Sequence, residues 1–350
     1  MHCKIISEYY QKYKSIKINS IINVIIGLMI VTSCSTERKV SNDAIQNSKP
    51  STVVSEHINI QSDLQPIHTD VVPNSNANTD INASGLEIPH LNENYTYAAH
   101  SVNVNGKTIM NLAVEWVNEK KHSNWVAFSF DSITSQDLIK RTNKWDNDPI
   151  LQANTDATYW NNLHLYDGFD KGHLCASEDR VYCIDANEQT FYYSNISPQF
   201  KTFNAGFWQK LEYKIQDWGR LTLDKIYDKV YVVKGGTINN LIKNYYAKHK
   251  NSDGQWPNTD KNGFTKGGIP CPKYYFIAIL SVKDNNYNSI GFWVEHREDL
   301  PSNPKAKDLK ACTMSIDELE KLTTIDFFCN LPDDLEVQVE ANIDLNSWIW

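Results

Sequence analysis

The 350-residue sequence lacks several features that would place it in common protein classes. Its seven cysteines contain no Cys-x-x-Cys pair, so we expect no structural zinc site. Positive charge is scarce, because 34 Lys and Arg against 42 Asp and Glu leave a net charge of -8. This excludes a protein that holds nucleic acid through bulk electrostatic attraction, but it leaves room for a basic cleft on an acidic body.

The N-terminus has the pattern of an export signal. Four lysines precede the apolar run at residues 21–31, which is shorter than the roughly 20 residues that a membrane-spanning helix needs. Val31-Thr-Ser-Cys34 follows, and it resembles a bacterial lipobox. We therefore predict a lipoprotein signal peptide at residues 1–33, lipidation of Cys34, and a protein anchored in the bacterial cell envelope, facing the periplasm or the cell surface. The alternative is an uncleaved anchor helix.

Residues 34–87 are rich in Ser, Asn, Thr and Asp and show no regular hydrophobic period. This composition predicts a flexible tether, followed by one domain at residues 88–350. An exported domain can form disulfides, and five cysteines would remain for it. Two alternatives stay open for these cysteines: they form at most two disulfide bridges, or they remain free thiols. They are Cys175, Cys183, Cys271, Cys312 and Cys329.

Hydrophobic periodicity predicts an α+β domain with a central, mostly antiparallel sheet flanked by helices. Long strands are expected at residues 112–117, 125–130, 229–233, 274–280 and 289–294. Residues 118–124, which include His122, should form the turn of a hairpin between the first two strands. Short strands should end at His173 and span residues 191–194, with Pro198 and Gln199 in a loop.

Two helices are predicted. The first should begin near Asn204, bury an aromatic and aliphatic side, run to about Trp218 and stop at Gly219. The second, at residues 316–322, should begin at a capping box formed by Ser315 and Glu318.

One histidine and two oxygen-bearing side chains are candidates for a hydrolytic metal site. A neutral histidine is a general base near neutral pH, and Gly172 before His173 permits a tight turn or a close approach to a ligand. Asn204 and Glu212 are about two helical turns apart, so their oxygens face one side and could hold a hard cation. Three alternatives stay open: a structural histidine, an N-capping Asn204 and a solvated Glu212.

The motifs around these residues resemble those of the DNA/RNA non-specific endonuclease family, the ββα-metal group that includes secreted bacterial nucleases and mitochondrial endonuclease G. They are Asp170-Lys-Gly-His-Leu-Cys-Ala-Ser177, Asp179-Arg180, Ser194-Asn-Ile-Ser-Pro-Gln199 and Phe203-Asn-Ala-Gly-Phe-Trp-Gln-Lys-Leu-Glu212. The resemblance covers about residues 95–340. It implies a ββα-metal (His-Me finger) fold and a Mg²⁺-dependent enzyme that cleaves DNA and RNA with little sequence preference.

The resemblance also implies roles for individual residues. His173 matches the general base that activates water, and Asn204 matches the single direct protein ligand of a hydrated Mg²⁺, with Mn²⁺ or another divalent ion as alternatives. Glu212 matches the carboxylate that orients the water shell of the metal. Asn195 matches an asparagine that supports the site through hydrogen bonds.

Lys171 stands in the place of the motif arginine that contacts phosphate, and it keeps the charge but loses the bidentate fork. Arg141 matches a second phosphate-binding arginine, and Gln216 stands where members often carry another. These changes predict modest affinity for the phosphate backbone. Two alternatives to a non-specific nuclease stay open. One is a related enzyme whose substrates are restricted to one kind of nucleic acid. The other is a surface lipoprotein of the same fold that binds nucleic acid or another ligand without catalysis. No protein partner is predicted.

Overall fold

A computed structural model describes residues 74–151 and 167–350. The predicted signal peptide, Cys34 and residues 35–73 of the predicted tether lie outside the described residues, and they stay predictions. In the part of the chain that is described, no helix is long and apolar enough to cross a membrane.

A large antiparallel sheet forms the centre of the described structure, with the strand order β1-β2-β3-β6-β7-β8-β9, while β4 and β5 pair in a separate small sheet. The strands are β1 (Thr96–Val104), β2 (Lys107–Val117), β3 (His122–Phe130), β4 (Asp170–His173), β5 (Ile196–Gln199), β6 (Lys229–Gly236), β7 (Tyr274–Lys283), β8 (Asn286–Glu295) and β9 (Thr313–Met314). The α-helices are α1 (Ile184–Gln189), α2 (Gln209–Arg220), α3 (Ala306–Lys310), α4 (Ile316–Thr323) and α5 (Asp333–Glu340).

Both faces of the large sheet are buried, because alternate residues of each strand point to opposite sides. In β3, Val126 and Phe128 join one apolar cluster, whereas Trp125 and Ala127 join a second. The first cluster also contains Leu211, Ile215 and Trp218 of α2 and Ile196 of the small sheet. The second contains Ile316 and Leu319 of α4 and Val339 of α5. The predicted α+β architecture is confirmed, with α2 on one face and α4 and α5 on the other.

Local signals in the sequence located several elements well. The long strands form where the alternation predicts them, and β2 and β3 make the expected hairpin. The β7–β8 hairpin turns at Asp284 and Asn285, whose positive φ angles of 49° and 60° suit short polar side chains. The capping box is confirmed: Ser315 Oγ accepts a hydrogen bond from Glu318 N at 3.2 Å and Ser315 N donates to Glu318 Oε2 at 3.3 Å.

The short strands were predicted less well. Residues 191–194 are not a strand, since they lead into a 3₁₀ turn at Tyr193–Asn195, and the strand is β5. Pro198 and Gln199 therefore lie in a strand and not in a loop; a proline is tolerated there because the small sheet has only edge strands. His122 is the first residue of β3 and is buried, so its placement in a turn was also wrong.

The first helix begins earlier than predicted. An irregular π-type turn at Phe203–Trp208 leads into α2, so Asn204 lies inside the first turn and is not an N-cap. Gly219 does not stop the helix, which continues to Arg220. A Cβ atom at Gly219 would clash with the ring of Phe130, so close packing of α2 on the sheet requires this glycine.

The domain starts before the predicted boundary at residue 88. Ala83 is fully buried, and the Asn78 side chain donates to Pro89 O at 3.0 Å. Asn76 Nδ2 donates to Glu336 Oε1 at 2.8 Å, which ties this segment to α5. Residues 74–87 therefore pack on the domain, because their asparagine side chains find partners that are distant in sequence.

The five cysteines within the described residues are all free thiols. Of the two alternatives that the sequence left open, disulfide bridges and free thiols, the structure has the second.

Candidate active site

A cleft of about 170 Å³ lies between β4 and the beginning of α2. It brings together five of the predicted site residues, whose positions span 72 residues of sequence: Arg141, Lys171, His173, Asn204 and Glu212. Asn195, the sixth, lies outside the lining of the cleft and is fully buried. Cys34 lies outside the described residues.

The small sheet sets the position of His173. Lys171 and His173 are two residues apart in β4, so their side chains leave the same face of the strand. Gly172 lies opposite Ser197 in the register, and a Cβ atom there would clash with the side chain of Gln199. The glycine of the motif is therefore needed for close packing within the small sheet, rather than for a tight turn or for contact with a ligand.

Asn195 holds the chain immediately after His173. Its Oδ1 accepts from Cys175 N at 2.8 Å, and its Nδ2 donates to Cys175 O at 2.8 Å and to Thr190 O at 2.7 Å. The amide thus joins the end of β4 to the segment that precedes β5, and restricts the backbone that carries the histidine.

Aromatic rings enclose the imidazole of His173. The ring centroids of Trp145 and Phe191 lie 5.3 and 5.1 Å from that of His173, and within residues 74–151 and 167–350 its buried Nε2 has no hydrogen-bond partner. Burial lowers the pKa of His173 to about 3, and the cations of Arg141 and Lys171 lower it too. The imidazole is therefore neutral across the physiological range and keeps a lone pair that can accept a proton.

The two positively charged side chains of the cleft lie over the faces of aromatic rings. Lys171 Nζ lies 4.3 Å from the ring centroid of Trp145, and the guanidinium of Arg141 lies 4.7 Å from that of Phe191. Arg141 also donates through Nε to Asn143 Oδ1 at 2.6 Å. Burial lowers the pKa of both side chains, but from ordinary values high enough that both stay charged at neutral pH. The cleft therefore has a basic side, formed by Lys171 and Arg141, on a protein of net charge -8.

Asn204 and Glu212 offer oxygen atoms to the same cleft. The amide side chain of Asn204 is partly buried and makes no hydrogen bond to another described residue, while its backbone N–H donates to Phe200 O at 2.8 Å. Glu212 is 8% exposed, and burial raises the pKa of its carboxyl. An amide oxygen, a carboxylate and room for several waters suit a hard divalent cation, so the residues present fit such an ion.

A buried lysine lies beneath Glu212, and the sequence reasoning missed it. Lys234 is 0% exposed, and its Nζ lies 3.0 Å from Asp179 Oδ2 and 3.4 Å from Glu212 Oε1. Burial alone would lower the pKa of Lys234, but the two carboxylates raise it above its ordinary value. A lysine inside the apolar run of β6 was the available signal, because a buried cation needs an anionic partner.

Gln216 lines the cleft, but its amide nitrogen is bound to another side chain of the protein. It is buried, and its Nε2 donates to Asp179 Oδ1 at 2.9 Å. Gln216 and Lys234 thus hold the two oxygens of one carboxylate, and Lys234 links that carboxylate to Glu212.

Comparisons with known proteins match the chain to nucleases. The sequence profile described as DNA/RNA non-specific endonuclease matches residues 78–334. A nuclease of Nostoc sp. is 25% identical over 236 residues, which are 66% of this chain and 76% of that protein. The mitochondrial nuclease EXOG of Xenopus laevis is 26% identical over 239 residues, 67% of this chain but only 61% of that protein.

A nuclease of Serratia marcescens is 26% identical over 224 residues, which are 63% of this chain and 74% of that protein. Among solved structures, a chain of the EndoG/EndoGI complex is 19% identical, with a TM-score of 0.46 over 67% of this chain and 87% of that one.

Proposed function

Because the chain belongs to the DNA/RNA non-specific endonuclease family, we propose that it cleaves both DNA and RNA, with little sequence preference, in the cleft between β4 and α2. Membership makes it an endonuclease, an enzyme that hydrolyses phosphodiester bonds. The observation that carries the proposal is the meeting of His173, Asn204 and Glu212 with two cations in one cleft.

His173 is the proposed general base. Its neutral imidazole takes the proton of the water that attacks phosphorus in line, and the products carry 5′-phosphates. Besides burial, the positive charges of Arg141 and Lys171 lower the pKa of His173. A bound phosphodiester would offset these two charges, and would therefore make the imidazole a stronger base when substrate is present.

The proposed cofactor is a divalent ion, Mg²⁺ in the first instance, with Mn²⁺ or another ion as alternatives. Asn204 would hold it directly and Glu212 through bound water, which suits an ion that keeps most of its hydration shell. When bound, the ion would offset the charge that develops on the phosphate oxygens and on the leaving group.

Two residues are proposed to bind the scissile phosphate and one to position the base. Lys171 and Arg141 present positive charge beside His173, and the single ammonium of Lys171 supports modest affinity for the backbone. Asn195 acts through the chain that carries the histidine and is a positioning residue.

The proposed setting is the bacterial cell envelope, with the domain tethered through a lipid on Cys34. Support comes from the lipobox and from the polar segment between Cys34 and the first described residue. Mass spectrometry of the mature N-terminus, with Cys34→Ala as control, tests lipidation, and protease treatment of intact cells tests which side the domain faces.

Digestion of plasmid DNA and of RNA tests the proposed activity. With Mg²⁺ the wild type should cleave both, and His173→Ala should lose at least about two orders of magnitude in rate, the usual contribution of a general base. His249→Ala is the matched control, because that ring is exposed and outside the cleft. Equal cleavage by wild type and His173→Ala would refute the role of the base. A wild type that binds nucleic acid but cleaves nothing with any common divalent ion would instead be the non-catalytic alternative.

A further inference from the structure

A group of carboxylates lies on the face of the sheet that is opposite the active-site cleft. Asp317 and Glu320 of α4 and Glu340 at the end of α5 each present an oxygen within 4.8 Å of the others. Within residues 74–151 and 167–350, none of the three forms an ion pair with a Lys, Arg or His. Three acidic side chains are therefore brought together without a cation from the described residues.

Glu340 points independently to a missing ligand. Its side chain is 4% exposed, and its Oε1 is buried without a hydrogen-bond partner among the described residues. A buried, unpaired carboxylate is strongly unfavourable, so either a proton or a cation must compensate it. Burial raises the pKa of Glu340 to about 10, and the charges of Glu320 and Glu336 raise it too.

Hydrogen bonds distinguish Glu340 from the acidic side chains around it. Asp326 and Glu336 share the amide of Asn76, whose Nδ2 donates to them at 3.1 and 2.8 Å. Glu320 is fixed by its Oε1, which accepts from Phe327 N at 2.7 Å. The neighbours thus have a donor of their own, while in the described part of the chain Glu340 has none.

The three carboxylates of the group favour calcium over magnesium. Calcium takes about six to eight oxygen ligands, carboxylates among them, in a flexible geometry, whereas magnesium demands near-ideal octahedral geometry and is usually held by about one or two carboxylates. Asp317 and Glu320 are partly exposed, which gives an ion a path of entry and leaves room for water ligands.

We propose that Asp317, Glu320 and Glu340 form a second cation site, of the calcium class, that joins α4 to α5. The site is separate from the divalent ion of the active site, because α2 packs on the other face of the sheet. A bound ion would fix the two helices relative to each other and stabilise the folded domain without contact with the substrate.

The test is a calcium titration of the full chain after removal of metals with EDTA. Thermal unfolding should shift up by about 3 °C at a tenfold excess of Ca²⁺ over Kd, for a domain of this size. The titration should reach the millimolar range, since calcium sites of extracellular modules have Kd values of about 10⁻⁴–10⁻³ M. Glu340→Gln should lose the shift, whereas Asp334→Asn, an exposed carboxylate of the same helix, should keep it.

Two further measurements exclude other causes. Asn204→Ala should keep the calcium shift, which separates this site from the active-site ion. In EDTA, Glu340→Gln should unfold at the same temperature as wild type or higher, because it replaces a buried carboxyl group that has no hydrogen-bond partner among the described residues with a neutral amide of the same shape, so its lost response cannot result from misfolding. An undiminished shift in Glu340→Gln, or no shift in wild type, would overturn the proposal and leave a protonated Glu340 as the compensation.

Discussion

Replacement of Lys234 by methionine tests whether the buried ion group under Glu212 is essential to the site. The ammonium lies 3.0 Å from Asp179 and 3.4 Å from Glu212, and Lys234 and Asp179 have 0% side-chain exposure. Removal of one partner of a buried ion pair typically costs about 3–5 kcal/mol, because the remaining charge loses its compensation. Here two carboxylates would be left, so we expect Lys234→Met to lose at least about 3 kcal/mol, out of a total that is usually roughly 5–15 kcal/mol.

Urea denaturation measures this loss, and a double variant assigns its cause. Asp179→Asn in the Lys234→Met background removes one of the two uncompensated charges, so the double variant should regain about 1–3 kcal/mol. Lys229→Met is the matched control, since Lys229 lies in the same strand at a partly exposed position. Its free energy of unfolding should stay within about 0.5 kcal/mol of wild type.

The same variant should change the pH dependence of catalysis. Burial already raises the pKa of Glu212, and Lys234 opposes this shift. Without the ammonium the pKa of Glu212 rises further, so the carboxylate form is lost at a higher pH. The acid limb of kcat/KM should therefore move to higher pH in Lys234→Met. A variant as stable as wild type, with an unchanged acid limb, would refute the reasoning.

Three further outcomes are expected. Lys171→Arg should lower KM for DNA several-fold by adding a bidentate contact, measured at several salt concentrations; an unchanged KM would show that Lys171 does not contact phosphate. Asn195→Ala should lose about 2–4 kcal/mol in urea denaturation, because three buried backbone groups lose their partners, and a loss below about 1 kcal/mol would contradict that role. Burial lowers the pKa of His122 to about 4 and of His296 to about 3, from 6.5. The pKa of each histidine is lower in the folded protein than in the unfolded chain, so the free energy of unfolding should fall as the pH drops below 6.5. At pH 5 the loss should be about 2 kcal/mol per histidine. His296→Gln should remove its share of this loss, which urea denaturation at several pH values would measure.

The histidine pair illustrates where sequence reasoning was limited. His296 donates through Nδ1 to Pro272 O at 2.9 Å and accepts from Phe200 N through Nε2 at 2.8 Å, which requires the neutral ring. His122 was predicted in a turn but is buried at the start of β3. Neither role was visible in the sequence, because the partners of a buried polar group come from residues distant along the chain.

Local patterns alone determined much of the fold and of the active site. Alternating apolar residues predicted the long strands, and the Ser315–Glu318 capping box predicted α4. Asn204 and Glu212 line the same cleft, as their spacing of about two helical turns predicts, although the segment between them begins as an irregular π-type turn. The sequence motif around His173 was enough to identify it as the candidate general base.

Only the tertiary structure decided which charges meet. The pairing of β6 with β3 and β7 places Lys234 beneath Glu212, 22 residues away along the chain, and the side chain of Asp179 completes that group. The packing of α4 and α5 on one face of the sheet likewise brings Asp317 to Glu340. Periodicity shows which side of an element is buried, but electrostatic energy depends on distances between side chains, and these follow from how the elements pack.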